Sequence, residues 1–66
     1  MNYLIAMVSD SHHLMNEPPF YFKVYKIKAN SDVEVNRQIE FLERKFSLEY
    51  KVGLKDVVHL WTCKIK

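Results

Sequence analysis

The segment Asn30-Ser31-Asp32-Val33-Glu34 constrains this chain more than any other. The Ser31 hydroxyl can accept from the backbone N–H three residues on, while the Glu34 carboxylate reaches back to the Ser31 N–H. That is the reciprocal capping box that opens a helix. Asp32 and Glu34 also place negative charge at the positive end of the helix dipole. Val35, Ile39, Leu42 and Phe46 then recur at helical spacing as one apolar stripe, with Asn36, Arg37, Glu40, Glu43 and Arg44 lying away from it. The pairs Arg37–Glu40 and Glu40–Arg44 add modest support. A helix with one apolar stripe needs a second layer to cover it, and the flanking segments read as strands.

Two endings suit this helix. Gly53, the single glycine, fits as the residue just past a helix that ends near Val52. Alternatively the helix stops near Lys45 or Phe46, and Leu48, Tyr50 and Val52 alternate as a short strand that turns at Gly53–Asp56. The longer helix is favoured, because no turn residue separates Phe46 from Leu48.

Asn2–Ser9 alternates Leu4, Ala6 and Val8 with Tyr3, Ile5 and Met7, so both of its faces are apolar. That suits a central strand buried on both sides. Phe20–Ala29 is dense in aromatic and β-branched residues and is expected to pair with the first strand. One of its faces carries Phe20, Phe22, Val24, Lys26 and Lys28, the other Tyr21, Lys23, Tyr25 and Ile27. Val57–Lys66 alternates as well, with Val57, His59, Trp61, Cys63 and Ile65 on one side. Between the first two strands, Asp10–Pro19 is a loop marked by Pro18-Pro19. The expected fold is α/β of the α+β type: a small β-β-α-β sheet, or β-β-α-β-β with the alternative ending, and one helix packed on one face.

With 66 residues the chain is expected to form a single domain over residues 1–66. A domain of this size buries only about 60% of the surface its unfolded chain exposes. Such chains commonly compensate with disulfides, metals or oligomerisation. Cys63 is the single cysteine, so no disulfide forms within the chain, and a closed zinc site lacks its ligand pairs. Apolar residues nevertheless make up 48% of the sequence, more than so small a domain can enclose, which points to a homodimer or another partner. No charged leader precedes Lys23, and Tyr3–Val8 is too short to span a membrane. With a lone cysteine suiting a reducing compartment, the expected location is cytoplasmic, without membrane contact.

The net charge of +2 is unevenly spread. Lys23, Lys26, Lys28, Lys64 and Lys66 sit on the strands, and Asp32, Glu34, Glu40, Glu43 and Glu49 on the helical segment. If the helix covers the Phe20/Phe22/Val24 side, the open side shows Tyr21, Lys23 and Tyr25 beside His59 and Trp61. Aromatics interleaved with lysines on a sheet anchor protein partners. They also stack bases while the cations meet phosphates, although the glycine- and aromatic-rich motifs of RNA-recognition sheets are absent.

Catalytic equipment is sparse. His12 and His13, with Asp10 and Met15, could ligate a metal, but no second ligand motif supports them, and a solvated loop is the simpler reading. His59 and Cys63 share a strand face about 13 Å apart, too far for a nucleophile–base hydrogen bond, so Cys63 reads as a buried structural thiol. A single glycine rules out a glycine-rich phosphate loop. In size and in this lack of catalytic residues the chain resembles bacteriophage and mobile-element accessory proteins that inhibit or redirect host machinery. The expected function is therefore non-enzymatic, without cofactor: a homodimeric binding protein that modulates or inhibits a protein partner through Tyr21, Lys23, Tyr25, His59, Trp61, His12 and His13. Single-stranded nucleic-acid or nucleotide binding is the alternative.

Overall fold

The computed structural model describes residues 1–11 and 18–65. Strands β1 (Asn2–Asp10), β2 (Phe20–Lys28) and β3 (Val58–Ile65) form one antiparallel sheet in the order β2-β1-β3, with helix α1 (Asp32–Tyr50) between β2 and β3 in the chain. The doubly apolar strand β1 is thus the central one, and β2 is its hairpin neighbour, as the alternation implies.

Ser31 caps α1. Its Oγ accepts from the Glu34 N–H at 3.3 Å, with Ser31 itself extended at φ −154°. Glu34 reaches back one residue further than a capping box requires, its carboxylate accepting from the Asn30 N–H at 2.7 Å. Val35, Leu42 and Phe46 are buried and Ile39 packs beside them. They meet Tyr3, Ile5 and Met7 of β1 and Tyr25 and Ile27 of β2. Phe46, Ile5 and Met7 are completely enclosed, and a side chain of that size contributes about 1.5–3 kcal/mol when fully buried.

The helix therefore takes the Tyr21–Lys23–Tyr25–Ile27 side of β2 and leaves the Phe20–Phe22–Val24 side bare, the reverse of the arrangement that would expose Tyr21, Lys23 and Tyr25. The lysines explain the choice. Covering the Phe20 side would bury both Lys26 and Lys28, whereas the chosen side carries only Lys23, which the helix meets with Glu49. An unpaired buried charge is costly.

The longer helix forms, but not with the expected cap. It ends at Tyr50, and the left-handed residue that follows is Lys51 (φ 57°, ψ 43°), whose N–H returns to the Ser47 carbonyl. The Ser47 carbonyl also accepts from the Val52 N–H at 3.1 Å. Gly53 is extended at φ −64° and opens a short 3-10 turn, Leu54–Asp56. Residues 48–52 form no strand, because the turn at Lys51 brings Val52 into the core beside Val57.

Strand β3 departs from strict alternation. Ala6 lies opposite Trp61, but Met7 lies opposite His59, so Leu60 is an extra residue in a bulge. A bulge of this kind shifts every following side chain to the other face. His59 and Trp61, which strict alternation would put together, consequently point to opposite sides of the sheet.

Candidate functional site

The uncovered face of the sheet follows from the register as cross-strand rows. Phe20 lies beside Asp10. Next come Phe22–Val8–Val58, then Val24–Ala6–Trp61, Lys26–Leu4–Cys63 and Lys28–Asn2–Ile65. The face thus runs from an aromatic, acidic end to a lysine end. Phe22 is 48% exposed and Trp61 42%, and Phe20, Val24 and Val58 are likewise open to solvent. Ala6 points the same way yet is fully covered, because the larger Val24 and Trp61 on either side close over its methyl group. A contiguous apolar face of this kind marks an interaction site far more often than scattered surface residues do.

Of the described residues expected to contact a partner, only Trp61 lies on this face. Tyr25 is buried beneath the helix, and Tyr21 packs at its edge. There Tyr21 stacks on Tyr50, with ring centroids 4.7 Å apart and planes 17° from parallel, and Tyr50 tilts against Phe46 at 4.6 Å. Lys23 donates to both carboxylate oxygens of Glu49 at 3.0 Å and sits 5.3 Å from the centre of the Tyr25 ring. These three β2 residues hold the helix to the sheet.

The electrostatics of this corner follow from the same contacts. The hydrogen bond from Lys23 holds the Glu49 carboxyl below its ordinary range, and the bond to Glu49 raises the Lys23 ammonium. Burial pushes the phenols of Tyr25 and Tyr50 upward, with the Glu49 charge adding to both. The Tyr25 hydroxyl is buried and has no hydrogen-bond partner among the described residues.

His59 lies on the helix side of β3, exposed, with Nε2 2.8 Å from the Thr62 hydroxyl. The bulge makes this possible by bringing residues three apart onto one face. Cys63 is exposed on the open face, not buried as its apolar strand suggested, because no layer covers β3 there. His12 and His13 lie outside the described residues. At the edges of that segment the Ser11 hydroxyl donates to the Pro18 carbonyl.

Sequence reasoning missed Phe20, Phe22, Val24 and Val58 as the exposed set. The signal that could have found them was the presence of Lys26 and Lys28 on the Phe20 side, two charges that no residue of the helix stripe could neutralise.

Among the described residues no three His, Cys, Asp or Glu side chains gather as metal ligands, and no helix is long and apolar enough to cross a membrane. Comparison with protein-family models, with curated proteins and with solved structures finds no match for this chain.

Proposed function

We propose that this protein is a non-enzymatic binding protein that acts on another protein as a homodimer, and that the uncovered sheet face is where two copies meet. The observation that carries the reading is the row Val24–Ala6–Trp61 with Phe22 beside it, an exposed apolar centre on an otherwise well-packed small domain. Three strands of this length present a face of about 30 by 14 Å. Its flat area, about 420 Å², is roughly half of the 800 Å² or so that each partner buries in a standard interface, so weak association, in the micromolar range, is expected.

Charge supports a second copy as the occupant and chooses its orientation. A twofold axis along the strands would set Lys26 and Lys28 against their own copies. A twofold axis across the strands sets that lysine end over the Phe20–Asp10 end of the partner, with the two sheets aligned at roughly 30° as stacked sheets usually are. The exposed Cys63 thiol suits a reducing compartment, and we place the protein in the cytoplasm. An accessory role in modulating or inhibiting host machinery, as in mobile elements, fits a small chain that offers surfaces rather than a catalytic site.

Sedimentation equilibrium tests the reading. The expected mass rises from the 7.9 kDa of one chain toward twice that as concentration increases, and the single tryptophan, Trp61, shifts its emission to the blue in parallel. Phe22→Asp is expected to abolish both changes while leaving the fold intact, since Phe22 is half exposed. A wild-type chain that stays monomeric to about 100 μM, well above the micromolar range expected of small interfaces, overturns it. Quenching of Trp61 by a single-stranded oligonucleotide, with affinity falling steeply with salt, would instead favour nucleic-acid binding on the same face, where Lys26 and Lys28 would meet phosphates.

A further inference from the structure

We propose that the solvent side of α1 is a docking seam for an acidic amphipathic helix of a partner protein. This goes beyond the sheet-face reading and stands whether or not that face pairs with a copy.

The helix carries a second apolar stripe. Opposite the buried Val35, Leu42 and Phe46, the side chains of Phe41 and Leu48 are 69% and 81% exposed, and Leu48 is the most exposed large apolar residue among those described. They are seven residues apart. At 3.6 residues per turn, Arg37, Phe41, Arg44 and Leu48 fall within an arc of about 60° on the outer side. Their spacing of four, three and four residues is that of a coiled-coil seam, with Phe41 and Leu48 at one seam position and Arg37 and Arg44 at the other. Both arginines are exposed. A shallow 470 Å³ depression lies between Phe41, Arg44, Lys45 and Leu48.

Packing of the core does not account for two large apolar side chains held in water on the side opposite it. Their charged neighbours select what covers them. A second copy of this helix is disfavoured: running parallel it would oppose Arg37 to Arg37 and Arg44 to Arg44. Running antiparallel about Phe41 it would oppose Arg37 to Lys45. The bare sheet face of another copy is also a poor cover, because it brings Lys26 and Lys28 to the same arginines. An anionic membrane would meet Glu40 and Glu43 on the flank of the seam, where surface-seeking helices carry cations. Unlike a membrane, a partner helix can set carboxylates opposite Arg37, Arg44 and Lys45 while keeping them away from Glu40 and Glu43, with apolar residues opposite Phe41 and Leu48. Arg suits this role because its planar guanidinium can hold a carboxylate by two hydrogen bonds.

The test uses the intact protein and a labelled synthetic helix of about three heptads, the span of a short coiled coil, with Leu and Glu alternating along its seam. A second peptide has Lys in place of each Glu. Fluorescence anisotropy is expected to show saturable micromolar binding of the Glu peptide, at least tenfold tighter than the Lys peptide and weaker in salt. Arg37→Glu with Arg44→Glu is expected to reverse that preference. Phe41→Ser with Leu48→Ser is expected to remove binding of both peptides. All four side chains are exposed, so circular dichroism should report an unchanged fold. Equal binding of the two peptides, no saturable binding, or a preference that survives the charge reversal overturns the proposal. The arginine variants should leave the sedimentation mass unchanged and Phe22→Asp should leave peptide binding unchanged, so failure here is distinguishable from failure of the sheet-face reading.

Discussion

Lys23 on β2 and Glu49 in the last turn of α1 form a two-pronged ion pair, the ammonium lying 3.0 Å from each carboxylate oxygen. It ties the C-terminal end of the helix to the edge strand, next to the Tyr21–Tyr50 stack. Each side chain keeps more than a third of its surface in water, so its contribution to stability is small and screened by salt.

The pair sets a pH window. Glu49 titrates below its ordinary 4.5 in the folded chain, so what it contributes is present above that value and disappears as pH falls through the lower, folded one. Lys23 titrates above its ordinary 10.5, so its share is present below that value and disappears as pH rises through the higher, folded one. Melting temperatures of wild type and Glu49→Gln should therefore differ by a small constant amount near neutrality and converge in acid. A difference that persists undiminished at about pH 2, below ordinary carboxylate values, would show that the Glu49 charge does not matter.

The unpartnered Tyr25 hydroxyl gives a second expectation. A buried polar group without a hydrogen bond costs free energy, and removing it spares that cost while the ring stays in place. Tyr25→Phe should be neutral or stabilising by up to about 1 kcal/mol in urea unfolding. Phe46→Ala, at the centre of the same core, should lose about 3–5 kcal/mol, enough to leave so small a domain largely unfolded. Loss of stability in Tyr25→Phe would mean the hydroxyl has a partner in solution.

Lys51 and Gly53 exchange the roles their residue types suggest. Lys51 holds the left-handed conformation that glycine adopts without penalty, and Gly53 does not. Lys51→Gly should raise stability by about 0.5–1 kcal/mol. In Gly53→Ala the new methyl would come within 3.0 Å of the Asp56 carboxylate, the end of a short side chain that can turn aside. That variant should stay within about 1 kcal/mol of wild type. A destabilised Lys51→Gly beside a strongly destabilised Gly53→Ala would contradict the cap geometry.

These cases show where sequence was informative. The Ser31 cap and the stripe from Val35 to Phe46 were legible because they depend on neighbours within one helical turn. The central position of β1 was legible from the apolar character of both its faces. The covered side of β2 was not, because both its faces are rich in aromatics and periodicity counts them alike. What separates them is charge: Lys23 has Glu49 within reach across 26 residues of sequence, and Lys26 and Lys28 have no counterpart on the helix stripe. The bulge at Leu60 was invisible for a related reason. VVHLWTCKIK reads as clean alternation, and only pairing against Ala6 and Met7 reveals the extra residue that sends Trp61 to the open face and His59 to the other.

Cys63 converts that geometry into a reporter. It lies on the open face opposite Leu4, two residues from Trp61 on the same strand, and is exposed in the single chain. If two copies close over this face, the thiol becomes shielded as they associate. Its reaction with an aromatic disulfide reagent should therefore be fast in dilute solution and slow several-fold at concentrations where the sedimentation mass doubles. Phe22→Asp, which places a charge in the apolar centre without touching Cys63, should react at the dilute rate throughout. Arg37→Glu with Arg44→Glu, on the far side of the molecule, should behave as wild type. A reaction rate that is independent of concentration in the wild-type protein would place the dimer contact, where one exists, away from the sheet face.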